Sequence, residues 1–202
     1  MRKLGLSALS VLLLMTLSSR AQKTSPKTSR RPAANPAWVE ATLKKMTLRE
    51  KLGQMLMPYY FGVFTSTESA DYKELLHQVQ ENHVGGFILG TQRGPLGIER
   101  SQVYPTAVLT NELQKHAKTP LLIGADFETG TGMRIDEGTS FPSAMAVSAA
   151  NDPKAAYTIG KVTALEAQAA GVRWIFAPDA DVNNNPDNPI INICLLYTSR
   201  CV

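Results

Sequence analysis

The 202-residue chain carries 21 Lys and Arg against 17 Asp and Glu, but eight of the basic residues lie near its ends: Arg2, Lys3, Arg20, Lys23, Lys27, Arg30, Arg31 and Arg200. Residues 36–193 therefore hold 13 basic against 17 acidic side chains, and an acidic body of this kind excludes a nucleic-acid partner held by charge. Both cysteines, Cys194 and Cys201, fall in the last nine residues, so the rest of the chain offers neither a disulfide nor a thiol nucleophile.

Arg2 and Lys3 precede a short apolar run, Leu4 to Leu17, followed by Ser18-Ser19-Arg20-Ala21. A basic start, an apolar core too short for a good membrane span and small residues before Gln22 read as a secretory signal peptide over 1–21. The expected product is secreted or periplasmic after cleavage near Ala21, with no stable membrane anchor. Residues 22–35 mix four basic residues with Ser, Thr, Pro and Ala and have no large apolar group, the composition of a disordered basic linker.

The folded part is expected from Pro36. Trp38, Val39, Ala41, Leu43 and Met46 form a short amphipathic segment, and Thr47-Leu48-Arg49-Glu50 has the spacing of a capping box at a helix start. Gln54 to Met57 reads as a first strand stopped by Pro58. Tyr72, Leu75, Leu76 and Val79 share one helical face, and Gly85 to Gly90 reads as the second strand. Pro105 opens a helix through Val108, Leu109 and Leu113, which leads to a third strand, Leu121 to Asp126. Asp152-Pro153 starts a helix carrying Ala155, Ile159, Val162 and Ala169, closed by Gly171, and Arg173 to Ala177 is a fourth strand. Strands alternating with helices at this spacing imply βα units and a parallel sheet.

The chemistry concentrates at the end of the third strand. Leu121-Leu122-Ile123-Gly124-Ala125 delivers Asp126 to a C-terminal sheet edge, where α/β folds place their sites. Phe127 to Ala150 then forms a long insertion in which Arg134 can return a planar set of donors to the same pocket. Gly130-Thr131-Gly132 lacks the third glycine of a dinucleotide fingerprint, and no Walker sequence occurs. His77, His83 and His116 stand at no metal-ligand spacing and read as surface groups. Asp126 and Glu128 could be paired carboxylates, yet residues so close in sequence more often bind than flank a scissile bond. Asp179, Asp181 and Asn183-Asn184-Asn185-Pro186 suit a calcium loop or, more simply, a turn whose Asx side chains satisfy the backbone.

Residue patterns alone stop at an exported α/β protein with a polar pocket. Lys51-Leu52-Gly53-Gln54-Met55, Val84 to Leu89, Asp126 to Arg134, Gly138-Thr139-Ser140-Phe141-Pro142, Ala177-Pro178 with Asp181-Val182-Asn183, and Asn188 to Asn192 together resemble glycoside hydrolase family 3. The pattern around Asp126 is closer to the β-N-acetylhexosaminidase branch, although that branch usually has two glycines after the glutamate where this chain has Thr129-Gly130.

The resemblance implies a (β/α)₈ TIM-barrel-like domain of which residues 36–193 are about the first half. It implies an exported glycosidase that removes terminal non-reducing β-linked N-acetylhexosamine with retention, and needs neither metal nor organic cofactor. A β-glucosidase or related exo-glycosidase is the alternative within the family; a non-catalytic sugar-binding protein on the same fold is the alternative outside it. Carried over by position, Asp126 accepts hydrogen bonds from sugar hydroxyls and Arg134 binds the same sugar. The nucleophilic aspartate and acid/base histidine would both lie beyond Ile193, so the 202-residue chain is expected to be inactive by itself.

After Ile193 the family has a sugar-binding arginine, and here stands Cys194. Cys194 to Val202 resemble a translated transposon-end adaptor: Tyr197-Thr198-Ser199 and Arg200-Cys201-Val202 can be encoded by reverse-complementary DNA. Residues 194–202 are therefore expected to be a non-native tail.

Overall fold

A computed structural model describes residues 36–197. The expected signal peptide and linker lie outside the described residues, as does the tail from Thr198 onward.

Two short helices come first. α1 (Pro36–Lys45) buries no residue, and Trp38, Val39 and Leu43 are exposed on it. α2 (Leu48–Gly53) starts with the expected capping box: Thr47 Oγ1 accepts from the Glu50 backbone N–H at 3.2 Å, and Glu50 Oε2 accepts from the Thr47 N–H at 2.8 Å. That backbone bond, reinforced by Lys118 Nζ at 3.1 Å, draws the Glu50 carboxyl down to about 2.

The first strand lies later than expected. Gln54, Met55 and Leu56 donate back to Glu50, Leu52 and Gly53, prolonging the helix into a turn. The turn is held close because a Cβ on Gly53 would meet Asn82 O at 2.1 Å. β1 (Tyr59–Tyr60) begins after Pro58, whose carbonyl accepts from Ile88 N–H at 2.9 Å. Proline has no N–H to give a ladder and is tolerated at the start of an edge strand.

α3 (Ala70–Gln80), with Ser69 as N-cap, buries Tyr72 and Val79 and half-buries Leu75 and Leu76, the expected face. It leads to β2 (Gly86–Leu89). Next comes an unforeseen hairpin, β3 (Gln92–Gly94) and β4 (Gly97–Glu99). α4 (Val103–His116) starts two residues before Pro105, which sits harmlessly in the first turn, where a helix donor has no partner. β5 (Leu122–Ala125) follows.

After β5 come a 3₁₀ turn at Thr131–Met133, a second unforeseen element, α5 (Ala144–Ala150), and α6 (Pro153–Ala169) with Asp152 as N-cap. The inward stripe of α6 is Thr163 and Ala167, continued by Ala170, and the expected Ala169 is exposed. β6 (Trp174–Ile175) closes the series, shorter than the expected Arg173–Ala177.

The order β1-β2-β5-β6 is parallel throughout, the expected βα rhythm. Register pairs Phe87 with Ile123 and Ile88 with Gly124, so side chains alternate between two faces. Phe87, Leu89, Ile123, Ala125 and Phe127 pack with Tyr72, Val79, Leu109, Leu113 and Val172 in one core, each large side chain contributing about 1.5–3 kcal/mol by burial. Phe87 and Ile123 are fully buried beneath α3 and α4 even though the sheet has only four strands. The open face is the alternate one: Tyr59 is 70% exposed, Leu122 40% and Trp174 47%.

β1 and β6 also leave two open parallel edges. A purified 36–197 segment is therefore expected to self-associate at micromolar concentration. Size-exclusion chromatography and calorimetry check this; a monomer with a single cooperative melting transition is the result that would overturn it.

Candidate functional site

Alternation along β5 decides what faces where. Ala125 and Phe127 enter the helix-side core at 0% and 2% exposure, so Asp126 between them points to the open face at the C-terminal end of the sheet. Gly124 precedes it on that face because there is no room for more: a Cβ there would meet the Phe176 ring at 2.7 Å.

Arg134 returns to Asp126 as its position suggested. Its Nη2 lies 2.8 Å from Asp126 Oδ2, and the two side chains stay 22% and 31% exposed. For a pair this withdrawn from water the lost solvation offsets much of the Coulombic gain, so its clear value is geometric: a carboxylate and a guanidinium presented side by side at the rim.

The loop between them is folded by glycines. Gly130, at φ +89°, takes a left-handed conformation that a side chain resists, and a Cβ there would also meet Thr139 O at 2.4 Å. Gly132 and Gly138 mark the place where the two limbs of the loop cross, with Gly132 N–H donating to Thr139 O at 3.0 Å. Met133 and Arg134 close the 3₁₀ turn onto Gly130 and Thr131.

Ser101, fully buried, braces the other side. Its N–H donates to Arg134 O at 2.8 Å, its hydroxyl accepts from Gly62 N–H at 2.9 Å, and Asp136 N–H donates to its carbonyl at 2.9 Å. The ends of β1, β2 and the loop are thereby joined around one small residue.

The groove that Glu128 lines includes neither Asp126 nor Arg134. Glu128 shares this groove of about 580 Å³ with Phe127, Val147, Ile159, Thr163 and Leu196, and its buried Oε2 has no hydrogen-bond partner among the described residues. Cys194 faces it: a hydrogen bond to Glu128, loss of solvent and the negative charges of Glu128 and Asp179 push the thiol up to about 11. None of the residues that line this groove is basic. Among the other candidates, the Asn-rich segment is a turn, with Asn183 Oδ1 accepting from Asn185 N–H at 3.0 Å and Asn185 Oδ1 from Asp187 N–H at 3.2 Å. His77 and His116 are exposed and His83 half-buried, and no cluster of metal-binding side chains occurs among the described residues.

Sequence reasoning missed Glu166. It stands on α6 three residues after Thr163 and one before Ala167, on or beside the buried stripe, and accepts hydrogen bonds from Thr131 and Thr139 across the loop. An acid at that spacing was the available signal.

Residues 47–193 match the Glycosyl hydrolase family 3 N terminal domain. The chain belongs to glycoside hydrolase family 3. It is similar to a β-N-acetylglucosaminidase/β-glucosidase of Cellulomonas fimi, 34% identical over 156 residues that make up 77% of this chain and 25% of that protein. Among solved structures it resembles a family 3 β-N-acetylglucosaminidase from Paenibacillus sp. str. FPU-7 (35% identity, TM-score 0.58, 72% of this chain and 26% of the other). It also resembles the β-glucoside phosphorylase BglX (29% identity, TM-score 0.64, 82% and 28%). The chain thus spans about a quarter of the length of these relatives, and its parallel sheet is part of the family's TIM-barrel-like domain.

The one departure in the Asp126 pattern of this family 3 chain is sterically mild. The left-handed position is Gly130, which is kept, and Thr129 has no positive φ to oppose a β-branched side chain.

The charge deficit at position 194 is testable in the chain itself. Cys194→Arg should raise stability against urea by about 1.5–3 kcal/mol, the worth of a charge-assisted bond to the unpartnered Glu128 oxygen. The gain should vanish in a Glu128→Gln background. Unfolding followed by tryptophan fluorescence at sub-micromolar concentration reads both; an unchanged or lowered midpoint would show that this corner does not call for a cation.

Proposed function

We propose that the full-length protein is an exported glycosidase that removes terminal non-reducing β-linked N-acetylhexosamine residues with retention, and that Asp126 and Arg134 bind the sugar. The observation that carries the reading is the Asp126–Arg134 pair, partly open at the C-terminal rim of a parallel sheet. Sugars are neutral and rich in hydroxyls: a carboxylate accepts from two of them at once, and a guanidinium donates to ring or acyl oxygens. The names carried by the Cellulomonas and Paenibacillus relatives favour the N-acetylglucosamine preference.

The chemical step on this reading is a double displacement, in which an aspartate attacks the anomeric carbon and an acid/base group protonates the leaving oxygen. Those two groups are expected downstream of Ile193, so the residues described here bind and orient. Arg134 neutralises Asp126 and holds its carboxylate in one direction, which turns a flexible acceptor into a fixed one. Neither the binding nor the step requires a metal or an organic cofactor. Because a β-glucosidase name also attaches to the Cellulomonas relative, a glucose preference is the second reading.

The full-length protein should release the chromophore from an aryl β-N-acetylglucosaminide faster than from the matching β-glucoside. Equal or reversed rates would refute the sugar preference. Running both assays with and without inorganic phosphate separates hydrolysis from the phosphorolysis named for BglX.

In the same protein, Asp126→Ala removes charge-assisted hydrogen bonds worth about 1.5–3 kcal/mol each, and kcat/KM should fall at least about tenfold. Near-normal kinetics in that variant would show that Asp126 does not touch the sugar.

A further inference from the structure

Glu166 is an acid on a helix whose adjoining residues Thr163, Ala167 and Ala170 are buried. Placing a carboxylate there costs solvation unless its oxygens are satisfied. They are satisfied entirely from the Asp126–Arg134 loop. Oε2 accepts from the Thr131 hydroxyl and, at 3.0 Å, from the Thr139 N–H; Oε1 accepts from the Thr139 hydroxyl.

The two threonines lie on opposite limbs of the loop. Thr131 opens the 3₁₀ turn whose carbonyl receives Arg134 N–H at 3.1 Å, and Thr139 lies on the returning limb, its carbonyl receiving Gly132 N–H at 3.0 Å. One side chain therefore ties both limbs of the loop to α6. From Glu166 the connection runs through Thr131 to the Arg134 backbone, and through the Arg134 side chain to Asp126.

We propose that Glu166 is a positioning residue for the sugar site: it clamps the two limbs of the loop so that Arg134 is held against Asp126, and it does so without touching the sugar. This rests on the sugar-binding reading of that pair. Burial by itself would push the Glu166 carboxyl up, but the hydrogen bonds from Thr131 and Thr139 outweigh it and hold the group below the ordinary carboxylate value. The clamp is thus an ionised acceptor at neutral pH, and an amide cannot replace it, since one of its two ends donates.

The test uses the full-length protein with Glu166→Gln and, as a milder variant, Thr139→Val, which deletes only one hydroxyl bond. Amide hydrogen exchange requires no substrate. In Glu166→Gln the amides of Gly132, Thr139 and Phe141 should exchange at least about tenfold faster, while those of β2 and β5 stay unchanged. Thr139→Val should move the same amides in the same direction by less.

Kinetics on the aryl β-N-acetylglucosaminide supply the second arm. Glu166→Gln should lower kcat/KM about tenfold, but less than about twofold when Arg134 is already Ala, because the clamp acts through Arg134. Unchanged exchange in the loop, or losses that multiply in the Glu166→Gln/Arg134→Ala double variant, would overturn the proposal. If the wild-type protein turns over no glycoside, the glycosidase reading fails, and the exchange data alone decide whether the clamp exists.

Discussion

The pairing of β2 with β5 is the constraint on which the rest depends. Four residues of each strand are in register, from Gly86 opposite Leu122 to Leu89 opposite Ala125. Their backbones approach so closely at one end that a Cβ on Gly86 would meet Leu122 O at 1.8 Å. Because strand side chains alternate, this register buries Phe87, Leu89, Ile123 and Phe127 on the helix side and turns Asp126 to the open side. A slip of one residue would drive Asp126 into the apolar core and expose Phe127. Packing energy on one face therefore specifies the position of Asp126 on the other.

The loop after β5 faces a different problem. A long excursion must bring Arg134 back over Asp126, with Ile135 beside it as its apolar anchor in the main core. Glycines let its limbs cross at backbone contact, Ser101 ties its edge to the ends of β1 and β2, and Glu166 anchors it to α6. Each of these three devices is a polar or backbone contact, local for the glycines and between residues far apart in sequence for Ser101 and Glu166. Such contacts make a loop specific in shape while adding little to global stability.

This division explains what was legible beforehand. Apolar runs announce buried strands, so Gly86–Leu89, Leu122–Ala125 and the helices between them were readable, as were the capping box at Thr47 and Glu50 and the N-cap at Asp152. Gln54–Met57 misled because its apolar residues belong to a turn packed against Asn82 and His83, and the strand resumes only after Pro58. The β3–β4 hairpin was invisible because Gln92, Arg93 and Glu99 pair without any apolar alternation, and Leu96 and Ile98 are exposed. The meeting of Asp126 and Arg134 was anticipated from the strand end, the glycines after it and the planar donors of Arg134; only the sugar as their ligand came from the family pattern. Glu166 was missed because a threonine-bound acid on a helix leaves no periodic trace beyond a break in the apolar stripe.

Three carboxylates surround the loop, and each charge is handled differently. Asp126 is matched by a guanidinium at 2.8 Å, Glu166 by neutral donors, and Glu128 keeps a buried oxygen with no hydrogen-bond partner among the described residues. Only the first has its charge balanced by a cation among these contacts, so the rim carries an excess of negative charge in a region partly withdrawn from water. A neutral sugar is indifferent to that excess in its ground state. An oxocarbenium-like transition state is not, because positive charge develops at the anomeric carbon, and a fixed negative field is worth more there than in bulk water. On the glycosidase reading, the arrangement would thus contribute differentially to the transition state even from residues that perform no bond-making step. On the same reading, a cation at position 194 would pair with Glu128 and lower that excess, leaving the Asp126–Arg134 pair unchanged.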